Sequence, residues 1–412
     1  MKKLIMVAVA VSFLMAGFAF PGQSLAKDKI VWGVLEPLSG PFADSGTRYS
    51  QAVIFAAEEI NAKGGVLGKQ IEVIVEDSAL KPEVAVRKAK KLILQDKAEF
   101  IMAGTGSNVG LAIGQVAEKN NIINVLYGTE ASQITGKEFS PNTFRTCMNT
   151  DQHSAVIVAY FAKKYPQFKK YYIICQDYSF GKEAAEGFVR KFNEIMPKDA
   201  KIVGQIFHPL ATKDFGPYIS TIMASGAEVL LTANWGTDLR LLFKQGNSMG
   251  WKVKGGCYYM EDPSVTAELG EASVGHVTGD TYVSTIDTPE NKDFIKRYTT
   301  RFKDAPLEGW RYPMSSSARA YTAGQILAAV IQKTGNTKAE NIIKTWEGMS
   351  FDTLWGKVIM RPCDHQIVTP GTVAEIVPKV DYYPFPNAGP PTVIPAEEIT
   401  VPPNMTGNPR CK

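Results

Sequence analysis

An α/β fold of two doubly wound parallel-sheet lobes is predicted by three observations. Short apolar runs rich in β-branched residues alternate with longer segments of helical spacing. The runs lack a polar face, as strands covered on both sides do. The rhythm also restarts with the helix that opens at Ser154, giving two series of similar size, and such alternation means right-handed crossovers and parallel sheets.

The first strand is carried by Ile30, Val31, Trp32, Val34 and Leu35. Pro37, Gly40, Pro41 and Gly46 then crowd a sharp turn, and Ser39, Ser45 and Thr47 are placed to cap a helix whose first amides stay free for an anion. Ala52, Val53, Phe55, Ala56, Ala57 and Ile60 recur at helical spacing, and Lys63-Gly64-Gly65 ends that helix. The series continues with strand 70–76, helix 81–95 opening at Pro82, strand 99–103, helix 109–119 and strand 122–126. After the restart come helix 154–164, strand 171–175, helix 180–196, strand 201–207, helix 213–225, strand 227–232, helix 237–249 and strand 253–258. A third portion is less regular, with a strand over 274–283, helices over 290–303, 315–333 and 337–346, and strand-like pieces near Val358 and over 372–377. From Asp381 onward eight prolines fall in 32 residues, which predicts an extended or loosely ordered tail.

Lys2 and Lys3 precede an apolar stretch from Leu4 to Phe20, and Ser24-Leu25-Ala26 supplies small residues, so a signal peptide over 1–26 and an exported, soluble mature chain are expected. Without Lys2 and Lys3 the formal charge falls from +4 to about +2, too little to imply nucleic acid or a membrane surface as partner. The five cysteines include no C-x-x-C and no interleaved histidines, which argues against a zinc site. Cys363 and Cys411 flank the Pro-rich tail, and a disulfide between them would constrain it. No G-x-S-x-G, H-E-x-x-H or Walker sequence appears, and His153, His208, His276 and His365 are scattered. No catalytic set, metal or cofactor is therefore expected.

In an open parallel sheet the binding crevice lies outside the carboxyl ends of the strands. That rule selects residues 36–46, 104–108 and 127–132, three loops rich in Gly, Ser and Thr, which let backbone amides approach a small anion. Trp235, Phe180, Tyr178, Tyr258 and Tyr259 are candidates to receive an apolar or aromatic moiety, with Tyr259 the one most readily read as core.

The phrase PLSGPFADSG, followed by A-x-x-x-A-x-E-E-I-N-A-K-G-G-V-L-G, resembles the opening of the branched-chain-amino-acid (leucine/isoleucine/valine-binding-like) class of solute-binding proteins that serve ABC importers. The resemblance implies a type I periplasmic binding protein fold whose chain crosses a hinge three times, near Arg145-Thr146-Cys147, Thr281-Tyr282 and Arg361-Pro362-Cys363. Lobe one would then be residues 28–147 with 282–362, and lobe two 148–281 with 363–412. His153 and His365, after the first and third crossings, would serve hinge hydrogen bonds. For the site it implies Gly106, Ser107 and Asn108 at a ligand carboxylate, Gly128, Thr129 and Glu130 in the next loop, and Phe180 and Trp235 from lobe two. The family's ammonium-binding acid falls on Tyr258, which cannot neutralise an ammonium, and Glu130 is the first substitute, with Glu261 or Asp262 next. Ser45 stands where relatives often carry an aromatic, leaving room for a bulkier or less amine-like ligand. The implied function is a monomeric periplasmic binding component that captures an amino acid or related small carboxylate and delivers it to an inner-membrane ABC permease. The alternatives are a binder of aromatic or other non-amino-acid carboxylates, a ligand sensor for a membrane receptor, and, with least support, a secreted hydrolase.

Overall fold

The computed structural model describes residues 29–411; the expected signal peptide, residues 1–26, lies outside them. The first series consists of β1 (Lys29–Glu36), α1 (Ala43–Ala62), β2 (Gln70–Asp77), α2 (Pro82–Leu94), β3 (Phe100–Ala103), α3 (Ser107–Lys119), β4 (Ile123–Leu126) and β5 (Thr143–Arg145). The strands form one parallel sheet in the order β2-β1-β3-β4-β5. β3 and β4 are buried at every residue because both faces are covered. Trp32, Phe100 and Val125 pack toward α1 on one face, and Leu35, Ile101 and Leu126 toward α2 and α3 on the other.

The second series is α4 (Thr150–Lys164), β6 (Lys170–Gln176), α5 (Ser179–Ile195), β7 (Lys201–His208), α6 (Gly216–Ala224), β8 (Val229–Thr232), α7 (Gly236–Ser248), β9 (Lys254–Cys257), α8 (Pro263–Leu269) and β10 (Val277–Asp280). Its strands run parallel in the order β7-β6-β8-β9-β10 around a core of their own. The chain then passes through α9 (Pro289–Arg301), α10 (Ser315–Thr334) and α11 (Ala339–Trp346), whose Tyr298, Leu327 and Trp346 join the core of the first sheet. A small antiparallel sheet of β11 (Ser350–Thr353), β12 (Gly356–Met360) and β13 (Ile367–Val368) follows. Finally β14 (Gly371–Val377) pairs antiparallel with β10, and β15 (Asn387–Ala388) and β16 (Thr392–Ile394) pair with β14 ahead of α12 (Ala396–Ile399).

Both sheets share one topology. The strand order reverses between β1 and β3 in the first and between β6 and β8 in the second, and ligand crevices form at such switch points.

The differences from the sequence reading are local. α1 starts at Ala43 and puts Ser45 inside the helix; its N-cap is Phe42 and no side chain caps it, so the expected Ser or Thr cap is not made. α4 starts at Thr150, four residues early, because Asn149 and Gln152 form a reciprocal capping box. The tail is ordered rather than loose. Cys363 and Cys411 are joined by a disulfide, Asn408 donates to the Thr135 carbonyl at 2.9 Å, and Arg410 reaches Glu347 at 2.7 Å. Cys147, Cys175 and Cys257 are free and buried.

The segments leaving β5 and entering β13 lie side by side. The Arg145 amide donates to the His365 carbonyl at 2.9 Å, Arg145 Nε donates to Gln366 at 2.5 Å, and Gln366 Nε2 donates to the Cys147 carbonyl at 2.8 Å. His153 and His365 have separate partners: His153 bonds Glu130 and the Gly279 carbonyl, whereas His365 bonds Glu347 and the Thr143 carbonyl.

Candidate functional site

Loops from the carboxyl ends of both sheets surround a cavity whose empty space, counted out to open solvent, is about 550 Å³. α3, α5, α7 and α10 all begin at its wall, after Gly106, Tyr178, Trp235 and Met314, and none has a side-chain cap. Their first-turn amides lack intrahelical partners and carry the positive end of the helix dipole, which favours an anion.

The β3–α3 loop is shaped by what its glycines avoid. Gly106 has φ +86°, and a Cβ there would sit 2.5 Å from Leu80; in the loop after β4, one on Gly128 would sit 2.3 Å from the Tyr49 hydroxyl. Ser107 Oγ accepts the Ala131 amide at 3.0 Å, which ties α3 to the loop after β4 and leaves its proton to donate.

Under this loop lies Glu36, fully buried at the end of β1. It accepts the Gly104 amide at 2.6 Å, the Thr105 amide at 3.2 Å, the Thr105 hydroxyl at 2.5 Å and the Tyr127 hydroxyl at 2.7 Å. Burial pushes its carboxyl up to about 7, against these four donors. Glu36 thus fixes the loop and takes the amides of Gly104 and Thr105, leaving those of the α3 first turn for a ligand.

Two buried arginines complete the polar wall. Arg48 donates to the Gly309 carbonyl at 2.9 Å and pairs with Asp44 at 3.2 Å and Asp262 at 3.5 Å. Arg319 Nη1 lies 2.5 Å from Glu130 and 3.2 Å from Asp280, and its Nη2 donates to the Tyr49 hydroxyl at 2.7 Å. Glu130, Asp280 and His153 stand close enough to ligate a cation, but the guanidinium already bridges the carboxylates and His153 spends both nitrogens, so no room is left for one.

Of the residues singled out in the sequence, Ser45, Gly106, Ser107, Gly128, Phe180 and Trp235 line this cavity. Asn108, Thr129, Glu130 and Tyr258 do not, and the reasons are physical. Asn108 is the second residue of α3, and its Oδ1 is buried without a partner among the described residues. Thr129 is fully buried where a Cβ on Gly110 would meet its side chain at 2.9 Å. Glu130 receives Arg319 at 2.5 Å, the Tyr259 hydroxyl at 2.6 Å and His153 at 2.7 Å. Burial would raise its pKa, but His153 and Arg319 outweigh that and hold it at about 2. Its oxygens are therefore occupied, and it cannot replace an ammonium-binding acid. Tyr258 stacks on His153 with centroids 3.7 Å apart and bonds Ser154 at 2.5 Å, on the α4 side. Tyr259, the pocket candidate most readily read as core, lines the cavity, as does Asp262, while Glu261 is buried behind, accepting the Ser315 amide at 3.3 Å.

Arg48, Tyr49, Met314, Ser316 and Arg319 also line the cavity and escaped the sequence reading. Arg319 left a usable signal: it is a single charge within Ser315-Ser316-Ser317-Ala318-Arg319-Ala320, a run otherwise of small residues, and a charge in a buried helix must be paired.

A family model described as periplasmic binding protein matches residues 29–381. The Leu/Ile/Val-binding protein homolog 4 of Brucella melitensis is 28% identical over 386 residues, covering 89% of this chain and 90% of its own. Among solved structures, the closed leucine-, isoleucine-, valine-, threonine- and alanine-binding protein from Brucella ovis superposes with a TM-score of 0.82 at 24% identity, covering 91% of this chain and 97% of its own. A solute-binding protein of an ABC transporter from Rhodopseudomonas palustris, in complex with p-hydroxybenzoic acid, has a TM-score of 0.78 at 23% identity, covering 90% and 98%.

Proposed function

This chain belongs to the periplasmic binding protein family, and we propose that it is the solute-binding component of an ABC importer, capturing a small organic carboxylate between two lobes. Lobe one comprises residues 28–147 with 282–362 and lobe two 148–281 with 363–412, and the three connections act as a hinge for clamshell closure. The protein works in the periplasm after removal of residues 1–26, as a monomer that hands its solute to an inner-membrane permease without turning it over.

The observation that carries this reading is the pairing of an uncapped α3 N-terminus, with the Ser107 hydroxyl beside it, against a wall of Tyr178, Phe180, Trp235 and Tyr259. The carboxylate sits on the α3 amides and the apolar part packs on the rings. Relatives are named for leucine, isoleucine and valine. One feature favours an aromatic carboxylate over an amino acid here. Asp262, the acid that reaches the lining, is already paired with Arg48 and caps α8 through the Ser264 amide at 2.8 Å. A ligand ammonium would have to displace that arrangement.

A thermal-shift screen followed by calorimetry decides the matter. At least one aromatic carboxylate or amino acid is expected to raise the melting temperature with saturation. The reading fails if a broad panel of both classes gives no stabiliser, or if only nucleotides stabilise the protein.

A further inference from the structure

We infer that the solute carries, besides its carboxylate, a second oxygen that is uncharged and accepts a hydrogen bond from Arg319 Nε–H. This rests on the carboxylate-binding reading above and narrows it.

Arg319 lines the cavity and is 1% exposed. Nη1 is used by Glu130 and Asp280, and Nη2 by Tyr49, but Nε has no partner among the described residues. A buried guanidinium N–H is costly to leave unbonded, and native interiors rarely do so. The cavity is the space in which a partner can stand. Tyr259, whose ring centroid is 5.8 Å from the guanidinium carbon, flanks the same spot.

The charge around Arg319 fixes what kind of oxygen fits. One nitrogen of the guanidinium already faces two buried carboxylates, Glu130 at 2.5 Å and Asp280 at 3.2 Å. The positive charge of Arg319 is therefore already shared between two acids. A second carboxylate beside Arg319 would be a buried charge with no counterion left for it. A phenol, hydroxyl, ether or ketone oxygen satisfies the N–H without adding charge. With the aromatic wall opposite, the solute class is an oxygenated aromatic monocarboxylate.

The test is isothermal calorimetry with benzoate, the three monohydroxybenzoates, anisate and terephthalate, on the full mature protein and on Arg319→Lys. The lysine keeps a cation for Glu130 and Asp280 but offers no N–H at the Nε position. In the native protein the best oxygenated monocarboxylate is expected to bind about tenfold or more tighter than benzoate and than terephthalate. In Arg319→Lys its advantage over benzoate is expected to fall below about threefold. Benzoate binding as tightly as every oxygenated probe, terephthalate binding tightest, or an advantage that survives in Arg319→Lys would overturn the inference. If the variant does not fold, the native protein decides by nitrogen-15 NMR: an arginine Nε–H resonance must shift with the best oxygenated probe and not with benzoate. Binding of amino acids but of no benzoate-class acid overturns this inference and leaves the carboxylate reading standing. Binding of no carboxylate at all removes both.

Discussion

Phe42 and Trp235 face each other beside the cavity, their ring centroids 4.3 Å apart at 41°. Each is the N-cap of a helix, α1 and α7 respectively, so a contact between them joins the two β/α series. Thr237 adds a hydrogen bond to the Pro41 carbonyl at 3.1 Å, and Gly236, at φ +57°, lets the backbone come within reach. Phe42 is not itself part of the cavity lining. Phe42→Ala is therefore expected to weaken solute binding by destabilising closure, by about 1–2 kcal/mol or 5–30-fold. Melting of the unliganded protein should move little. Calorimetric affinity and small-angle scattering check this; an unchanged affinity with an unchanged envelope would mean that the ring pair does not hold the cleft shut.

Glu36 offers a second prediction, because one side chain satisfies four donors under the β3–α3 loop. Glu36→Gln keeps the shape but replaces one accepting oxygen with an amide NH2 group that faces donors. Buried N–H or O–H groups of Gly104, Thr105 or Tyr127 would lose partners, at a cost of about 1–3 kcal/mol. Urea unfolding should show that loss, and solute affinity should fall with it as Ser107 and the α3 amides lose their placement. A variant with native stability and native affinity would exclude Glu36 as the support of the loop.

How far such features can be read from sequence depends on how local their causes are. The two sheets were legible because each strand and helix advertises itself within a few residues, and the Gly/Ser/Thr loops because they follow strands directly. Arg319 was not: its partners Glu130 and Tyr49 lie 189 and 270 positions away, and only folding brings them together. Glu130 drew notice for its loop position, yet the same distant arginine, with His153, makes it structural. Tyr258 and Tyr259 illustrate a different limit. Adjacent residues at a strand end point to opposite sides, so a one-residue uncertainty in register exchanges a core tyrosine for a cavity tyrosine. The Asn149–Gln152 capping box is local, lying within four consecutive residues, yet the sequence reading started the helix at Ser154 and passed over it.

Glu261 makes stability depend on pH in a defined sense. Burial, joined by the nearby carboxylates of Asp262 and Asp280, pushes its carboxyl up from 4.5 to about 8. Between those values the folded protein holds a proton that the unfolded chain releases, so this group favours folding fully below about 4.5 and loses that contribution as pH rises toward 8. Glu261→Gln cannot ionise and lacks the loss. Relative to the native protein, the variant is expected to gain on the order of 2–4 kcal/mol between pH 5 and pH 9. Paired denaturation series at fixed ionic strength measure this difference. A difference that stays flat with pH would show that Glu261 ionises in the folded state as it does in solution.

The Cys363–Cys411 disulfide closes a loop with a sequence separation of 48. Within that loop β14, β15 and β16 extend the second sheet, and its end returns to the connection between the sheets, where Arg410 meets Glu347 and Asn408 meets Thr135. The bridge lies away from the cavity, so its effect should fall on stability and on the tail rather than on the solute. The chain-entropy relation gives an upper value of about 4 kcal/mol for a loop of this length. Replacing both cysteines with serine is expected to cost about 2–4 kcal/mol, because the hydrogen bonds and strand pairing of the tail persist in part. Limited proteolysis should then cut after Pro395 in the variant while the oxidised protein resists, and calorimetric affinity for the solute should remain within about threefold of native. A variant that melts at the native temperature would show that the packing of β16 and α12 alone anchors the tail. One that loses solute affinity by more than about tenfold would tie the tail to the site, since the Arg145–Gln366 contact lies three residues from Cys363.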